Sequence, residues 1–238
     1  MALILNIESA TPVCSLALCS GEKIISKKES HEHNSHSSLL TVFIEEIFSE
    51  VDFELNSLDA IAVSKGPGSY TGLRIGVSTS KGLCYALDKP LISISTLKAM
   101  ASGLTNFLKL SKSSLLKENT LLCPMIDARR MEVYSAIFDI NINEIKKVRA
   151  DIIDENSYQN FLVDKQIIFF GDGSAKCKKV LSNNENVKFI DNFYPSAEFM
   201  AEISEEKFKS NKFEDVAYFE PFYLKDFIAG KPKVKGLY

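Results

Sequence analysis

A single pattern, written twice, constrains this chain more than any other feature of its sequence. Residues 2–8 alternate and are rich in Leu and Ile, and a break follows at Ser9-Ala10-Thr11-Pro12. Residues 13–20 read as a second strand, Gly21-Glu22 as a tight turn and residues 23–29 as a third strand, which makes an antiparallel meander. The period then switches. Over 35–51, Leu39, Leu40, Phe43, Ile44, Ile47, Phe48 and Val51 fall at helical spacing. Ser35 or Ser37 is placed to cap that helix. Leu58–Ser64 reads as a short buried strand, 66–72 as a loop and 73–87 as a helix that ends before Pro90. A strand over 90–95 and the start of a helix over 96–103 complete the set.

The stretch 104–119 is rich in Ser, Lys and Asn and predicts an exposed connection. The order then begins again. Strands are predicted over 120–126, 131–139 and 145–152, a short helix over 155–162, and a strand over 167–170 that runs into Gly171-Asp172-Gly173 and a further helix. A strand over 187–190 and a helix over 196–210 follow. The order β-β-β-α-β-α-β-α implies a mixed sheet with helices on its faces, here made twice. The fold class read from this order is α/β, with duplicated ribonuclease-H-like lobes of the actin, sugar-kinase and Hsp70 ATPase kind and a reduced second lobe. The first lobe is expected over 1–103, with 198–238 packing back on it, and the second over 104–197.

Composition excludes several classes. With 45% hydrophobic and 25% charged residues the chain is neither disordered nor fibrous. Lys and Arg total 28 against 31 Asp and Glu, so a basic nucleic-acid footprint over the whole surface is excluded, though a local patch is not. The apolar N-terminus carries Glu8 and has no basic region, so it reads as a strand rather than a signal peptide. No segment approaches the roughly 18 apolar residues of a membrane helix. The five cysteines form no CxxC pair and read as reduced, buried thiols. A cytoplasmic protein with no membrane partner is the expectation.

The segment Gly66-Pro67-Gly68-Ser69-Tyr70-Thr71-Gly72-Leu73-Arg74-Ile75-Gly76 joins a strand to a helix. Glycines permit sharp turns and close approach, and a helix N-terminus attracts anions. The segment therefore reads either as a cradle for phosphate or a partner, through Gly66, Gly68, Ser69, Thr71, Gly72 and Arg74, or as a tight strand-to-helix connection. It is no Walker A loop, because no Gly-Lys-Ser/Thr closes it. In the helix behind it, Gly72, Gly76, Ser80 and Cys84 recur every four residues, a stripe that permits close helix approach. The helix over 35–51 has an apolar stripe wider than one sheet face needs. Both helices are candidates for an interface with a second subunit, against the alternative of ordinary internal packing. His36, Leu39, Leu40, Phe43, Ile47, Leu73, Gly76, Val77 and Ser80 are the expected contact residues.

Two acidic turns are candidates for a vestigial nucleotide cleft. Glu8, Ser9 and Thr11 follow the first strand, and Asp127 follows the first strand of the second copy. Paired acidic residues on facing hairpins are what Mg–nucleotide binding requires. Here Asp127 is followed by Ala-Arg-Arg where such clefts need glycine. His31, His33 and His36 crowd together and are the chain's only histidines, but no partner carboxylate is evident, so no metal site is assigned.

These residues carry a resemblance. Leu5-Asn6-Ile7-Glu8-Ser9-Ala10-Thr11, His36-Ser37, the loop 66–76 and Asp127-Ala128-Arg129-Arg130 with Glu132-Val133-Tyr134 resemble segments of the TsaB (YeaZ) family. That family serves the synthesis of threonylcarbamoyladenosine in tRNA. Glu8 stands where the family usually has Asp, and Tyr70 where it has Phe. The catalytic paralogue TsaD shares the glycine loop but carries a His-x-x-x-His motif beyond it, and no histidine follows His36 here. The resemblance implies a non-catalytic scaffold or activator with no catalytic residues of its own. It implies pairing with a TsaD-type paralogue through the first two helices, a TsaE-type ATPase joining the assembly, a homodimer when alone, and tRNA reached only through the complex. No tightly bound cofactor is expected, with ATP or ADP and Mg held only weakly or in the complex. The rival readings are a small ATPase or kinase using Glu8 and Asp127 with Mg and, behind it, a metallopeptidase. Lys225, Lys231, Lys233 and Lys235 form a cationic tail, either a solvated terminus or a contact for tRNA phosphates or a partner.

Overall fold

A computed structural model describes residues 1–32 and 36–225 of the chain. The first meander is β1 (Leu3–Glu8), β2 (Cys14–Ser20) and β3 (Lys23–Ser30). Then come α1 (His36–Glu50), β4 (Ala60–Gly66), α2 (Tyr70–Leu87), β5 (Leu91–Ser95) and α3 (Thr96–Leu110). The second half repeats the order with β6 (Thr120–Asp127), β7 (Glu132–Phe138), β8 (Glu144–Ile152), α4 (Gln159–Leu162), β9 (Gln166–Phe170), α5 (Ser174–Leu181), β10 (Val187–Ile190) and α6 (Ala201–Lys209). The two five-stranded sheets run β3-β2-β1-β4-β5 and β10-β9-β6-β7-β8. Each has its first half-strand at the centre, antiparallel to the second and parallel to the fourth. The two halves are thus one topology used twice, as the repeated sequence pattern implies.

Strand periodicity decides what each face buries. Leu3, Leu5 and Ile7 of β1 enter a core shared with Leu40, Ile44 and Ile47 of α1 and Val77 and Cys84 of α2. Ala2 and Ile4 point the other way, into a cluster with Met200 and Ile203 at the start of α6. Each fully buried Leu or Ile contributes about 1.5–3 kcal/mol relative to exposure. The two halves trade helices. Leu97, Met100, Ala101, Leu104 and Leu108 of α3 pack on Leu122, Ile126, Phe138 and Ile168 of the second sheet. In return, α6 lies on the first sheet, and Lys207 Nζ donates to Ser93 O of β5 at 2.5 Å.

Three expected elements change. The stretch 104–119 is not exposed throughout, because α3 continues to Leu110 with Leu104, Thr105 and Leu108 buried. The polar residues between them hid the stripe, and a boundary at 103 falls inside this helix. The helix expected over 155–162 shrinks to Gln159–Leu162. The helix expected over 196–210 opens as a 3₁₀ turn, Ala197–Met200. All five cysteines are free and buried. Burial pushes the thiols of Cys14, Cys84 and Cys123 up to about 12, which leaves them unreactive. Among the described residues, no helix is long and apolar enough to cross a membrane.

Candidate functional site

The first hairpin turn, the glycine loop, the turn after β6 and the C-terminal segment meet around a cleft of about 540 Å³. Thr11, Gly68, Ser69 and Thr71 line it from the first half, and Asp127, Arg129 and Asp172 from the second. Of the four residues expected in a cleft it holds Thr11 and Asp127, and Gly68, Ser69 and Thr71 of the glycine loop join them. It does not include Glu8 or Ser9, which are wholly buried beneath their own turn.

The glycines answer to the protein rather than to a ligand. A Cβ at Gly68 would stand 2.1 Å from Ala10 O, one at Gly72 2.2 Å from Ser9 O, and one at Gly76 2.1 Å from Ser9 Oγ. The first hairpin turn sits directly on the loop, and Ser69 N donates to Ala10 O at 2.6 Å. Ser69 Oγ caps α2 by accepting from Gly72 N at 3.2 Å. Gly66 has φ +109°, a left-handed value that suits glycine, and Phe222 O lies 2.8 Å from where its Cβ would be. The tight connection accounts for these glycines, and Gly68, Ser69 and Thr71 of the loop also line the cleft.

Glu8 is 0% exposed, and its Oε1 accepts from Ala10 N at 2.7 Å. Its Oε2 has no hydrogen-bond partner among the described residues. Burial pushes the carboxyl up to about 7, against the opposing pull of the Ala10 amide. Across the cleft, Asp127 Oδ1 accepts from Arg129 N at 2.7 Å and is ion-paired with Lys176. Arg129 and Arg130 both adopt positive φ, 71° and 49°, so this turn is held in a conformation that non-glycine residues rarely take. Burial raises the Asp172 carboxyl; the Asp127 amide, donating at 3.3 Å, pulls it back, and the Asp127 charge adds to the rise. Asp172 and Lys176 were not expected at the site. The only signal for Asp172 was its place between Gly171 and Gly173, and Lys176 carried none.

These donors do not fit the Mg–nucleotide group of an actin-like cleft. One carboxylate has no accessible surface, and the other is already neutralised by a lysine. The tail also enters the site. The Tyr223 ring lies 4.8 Å from that of Tyr70, Arg74 Nε donates to Tyr223 Oη at 3.3 Å, and Lys225 pairs with Glu132. Lys225 is thus committed within the chain, while Lys231, Lys233 and Lys235 lie outside the described residues.

The histidines do not converge. His31 Nε2 lies 3.2 Å from Glu29 Oε1, the buried His36 Nε2 lies 3.2 Å from Val13 O, and His33 lies outside the described residues. Among the described residues, no group of three or more His, Cys, Asp or Glu is placed to hold a metal.

The expected subunit contacts also need correction. Leu40, Ile47, Leu73, Gly76, Val77 and Ser80 are buried in the core of this one chain, and His36 is buried behind the first hairpin turn. Leu39 and Phe43 are half-buried against the same core. A side chain without exposed surface cannot meet a second chain. What the two helices expose is a different set: Ser37, Ser38, Thr41, Val42, Glu45, Ser49 and Glu50 on α1, and Thr71, Arg74, Ser78, Gly82, Tyr85 and Ala86 on α2. Tyr85 is 87% exposed, and nothing lies within 4 Å of a Cβ placed on Gly82.

Comparison with known proteins bears on the whole chain. The family model described as "TsaD: tRNA N6-adenosine threonylcarbamoyltransferase" matches residues 21–232. The "tRNA threonylcarbamoyladenosine biosynthesis protein TsaB" of Haemophilus influenzae is 30% identical over 96% of this chain and 95% of its own length. The protein of the same description from Escherichia coli is 28% identical over 96% of both. The solved structure of YeaZ from Pseudomonas aeruginosa superposes with a TM-score of 0.79 at 20% identity, covering 94% of this chain and all of that one, which shows the shared fold. From the glycine loop packed on its own hairpin turn to matches that span nearly its full length, the chain belongs to the TsaB (YeaZ) family.

Proposed function

We propose that this chain is a non-catalytic subunit in the formation of threonylcarbamoyladenosine in tRNA. It pairs with a TsaD-type paralogue that performs the threonylcarbamoyl transfer, and a TsaE-type ATPase joins the assembly. It works in the cytoplasm and meets tRNA only through the complex. The reading takes its role from relatives described as threonylcarbamoyladenosine biosynthesis proteins. The structural observation that supports it most is Glu8, buried under its own turn, which leaves the first half with no carboxylate in the cleft to face Asp127 and Asp172.

A protein without working chemistry acts through its surface. The exposed side chains include Thr41, Val42 and Glu45 on α1 and Arg74, Ser78, Gly82 and Tyr85 on α2, mostly small or apolar. Small side chains allow a partner helix to approach closely, and exposed aromatic groups serve as anchors. The same face joins two copies when the chain is alone. At the glycine-loop cleft, nucleotide is held weakly or only once the partner is present.

The test is co-expression with the same organism's TsaD-type paralogue, with ATP turnover assayed on the purified chain alone and on the complex. A one-to-one complex and no turnover by the chain alone is the expected result. Turnover by the isolated chain that disappears in Glu8→Gln would instead make it an ATPase of the same fold.

A further inference from the structure

A second cleft, of about 710 Å³, opens between the two halves on the other side of Phe222. It is larger than the glycine-loop cleft and carries a different charge. Lys65 at the end of β4, Lys98 in the first turn of α3 and Lys147 on β8 all line it, against one carboxylate, Glu144. Among the described residues none of these three lysines has an ion-pair or hydrogen-bond partner for its ammonium group. The accessible apolar lining comes from Phe222 and Val148, while Phe138 borders the cleft but is buried. A volume of this size lies within the range of small-molecule sites, roughly 300–1,000 Å³.

Three further observations place unmet demand for negative charge at this spot. First, α3 begins here, and its N-terminus is left uncapped. Ser95 makes no side-chain cap, and no acidic residue stands in the first turn. Ser95 borders the cleft, and its hydroxyl is buried with no hydrogen-bond partner among the described residues. Second, a lysine in the first turn of a helix opposes the helix dipole, so Lys98 is badly placed unless an anion joins it. Third, Lys207 is held below the usual lysine range first by burial and then by Lys65, with Glu214 pulling the other way and Lys98 and Lys212 adding smaller effects, so Lys65 and Lys98 both stand close to a further positive charge. One wall is also stiffened. In the β7–β8 turn, Asp139 Oδ1 accepts from the amides of Asn141 and Asn143 at 2.8 and 2.9 Å, which fixes the hairpin carrying Glu144 and Lys147.

The geometry points to a binding site for a small phosphorylated ligand with a flat apolar body. Phosphate groups lie at the start of α3 between Lys65, Lys98 and Lys147, and the ring of the ligand rests on Phe222, which is 42% exposed. The site is separate from the glycine-loop cleft and uses neither Glu8 nor Asp127. No metal is needed, because lysines and helix amides supply the positive charge.

The full-length chain is titrated by calorimetry, in chelator and low salt, with three probes: ADP, pyrophosphate and a short single-stranded RNA. ADP is expected to bind saturably and more tightly than pyrophosphate, because only ADP engages the Phe222 ring. Lys65→Ala with Lys98→Ala should weaken ADP on the order of tenfold or more. Glu144→Gln should tighten it, and Arg129→Ala, in the other cleft, should leave it unchanged. Because these side chains lie at the surface of the cleft, unchanged thermal melting curves will show that the variants fold. No saturable ADP binding would overturn the site, as would ADP binding lost in Arg129→Ala and kept in the lysine pair. Equal affinity for ADP and pyrophosphate would remove the Phe222 ring from the assignment. Lysine-dependent binding of the RNA without binding of ADP would replace the small ligand with a nucleic acid.

Discussion

Helix α2 carries small residues on two opposite faces, and the two faces have different fates. Inward, Gly72, Gly76, Ser80 and Cys84 are buried, and Gly76 is met by Ser9 at a distance that leaves no room for a Cβ. Outward, Thr71, Ser78, Gly82 and Ala86 are exposed, and the space beside Gly82 is open. A stripe of small residues therefore marks where something approaches closely but does not say what approaches. On the inner face it is the chain's own first hairpin turn. On the outer face, nothing among the described residues packs against Gly82.

Substitution separates the two faces directly. Gly76→Leu forces a side chain into Ser9 and the first sheet, and should cost roughly 3 kcal/mol or more, read as a collapsed denaturation midpoint or as insoluble protein. Gly76→Leu with wild-type stability would mean that the hairpin turn can move away and that the inner face is less committed than its packing implies.

Glu8 tests the floor of the same region. Its folded pKa of about 7 lies above the ordinary value of 4.5, so the folded chain holds this proton more tightly than the unfolded chain. Stability is therefore lost as pH rises from about 4.5 to 7, and stays lost above that, by about 3 kcal/mol. Glu8→Gln should remove most of that loss, raising stability at pH 8 and changing it little at pH 4.5. Equal effects at both pH values would contradict the buried, proton-retaining carboxyl.

Effects on the outer face and the tail should be small in stability. Gly82→Leu should shift unfolding by less than about 1 kcal/mol, with better helix propensity as its main consequence. Lys225→Ala loses a surface pair with Glu132 and should also cost less than about 1 kcal/mol in a melt. A larger loss would mean that the tail clamps the two halves together.

The fold was legible because local periodicity and chain order carry it. The β1–β3 meander, the switch to helical spacing at Leu39 and Leu40, and the second copy after residue 119 can each be read without knowing any contact. Where α3 ends could not be read this way, since Leu104 and Leu108 acquire their meaning only from Leu122 and Phe138 of the other sheet. At the candidate site, Thr11, Gly68 and Asp127 followed from turn chemistry. Asp172, Lys176 and Tyr223 arrive from distant segments, and no local pattern announces them. The inner stripe of α2 was mistaken for an interface for the same reason. Spacing identifies a face, but only the packed structure shows which side of the helix the sheet covers.

The exposed face of α1 and α2 is the proposed meeting place of this protein and its partner. Light scattering of the chain co-purified with the same organism's TsaD-type paralogue, as wild type and as Gly82→Leu, decides the matter. Wild type should give a one-to-one complex, and Gly82→Leu a folded chain that elutes without the paralogue. A Gly82→Leu chain that still forms the full complex would place the interface elsewhere.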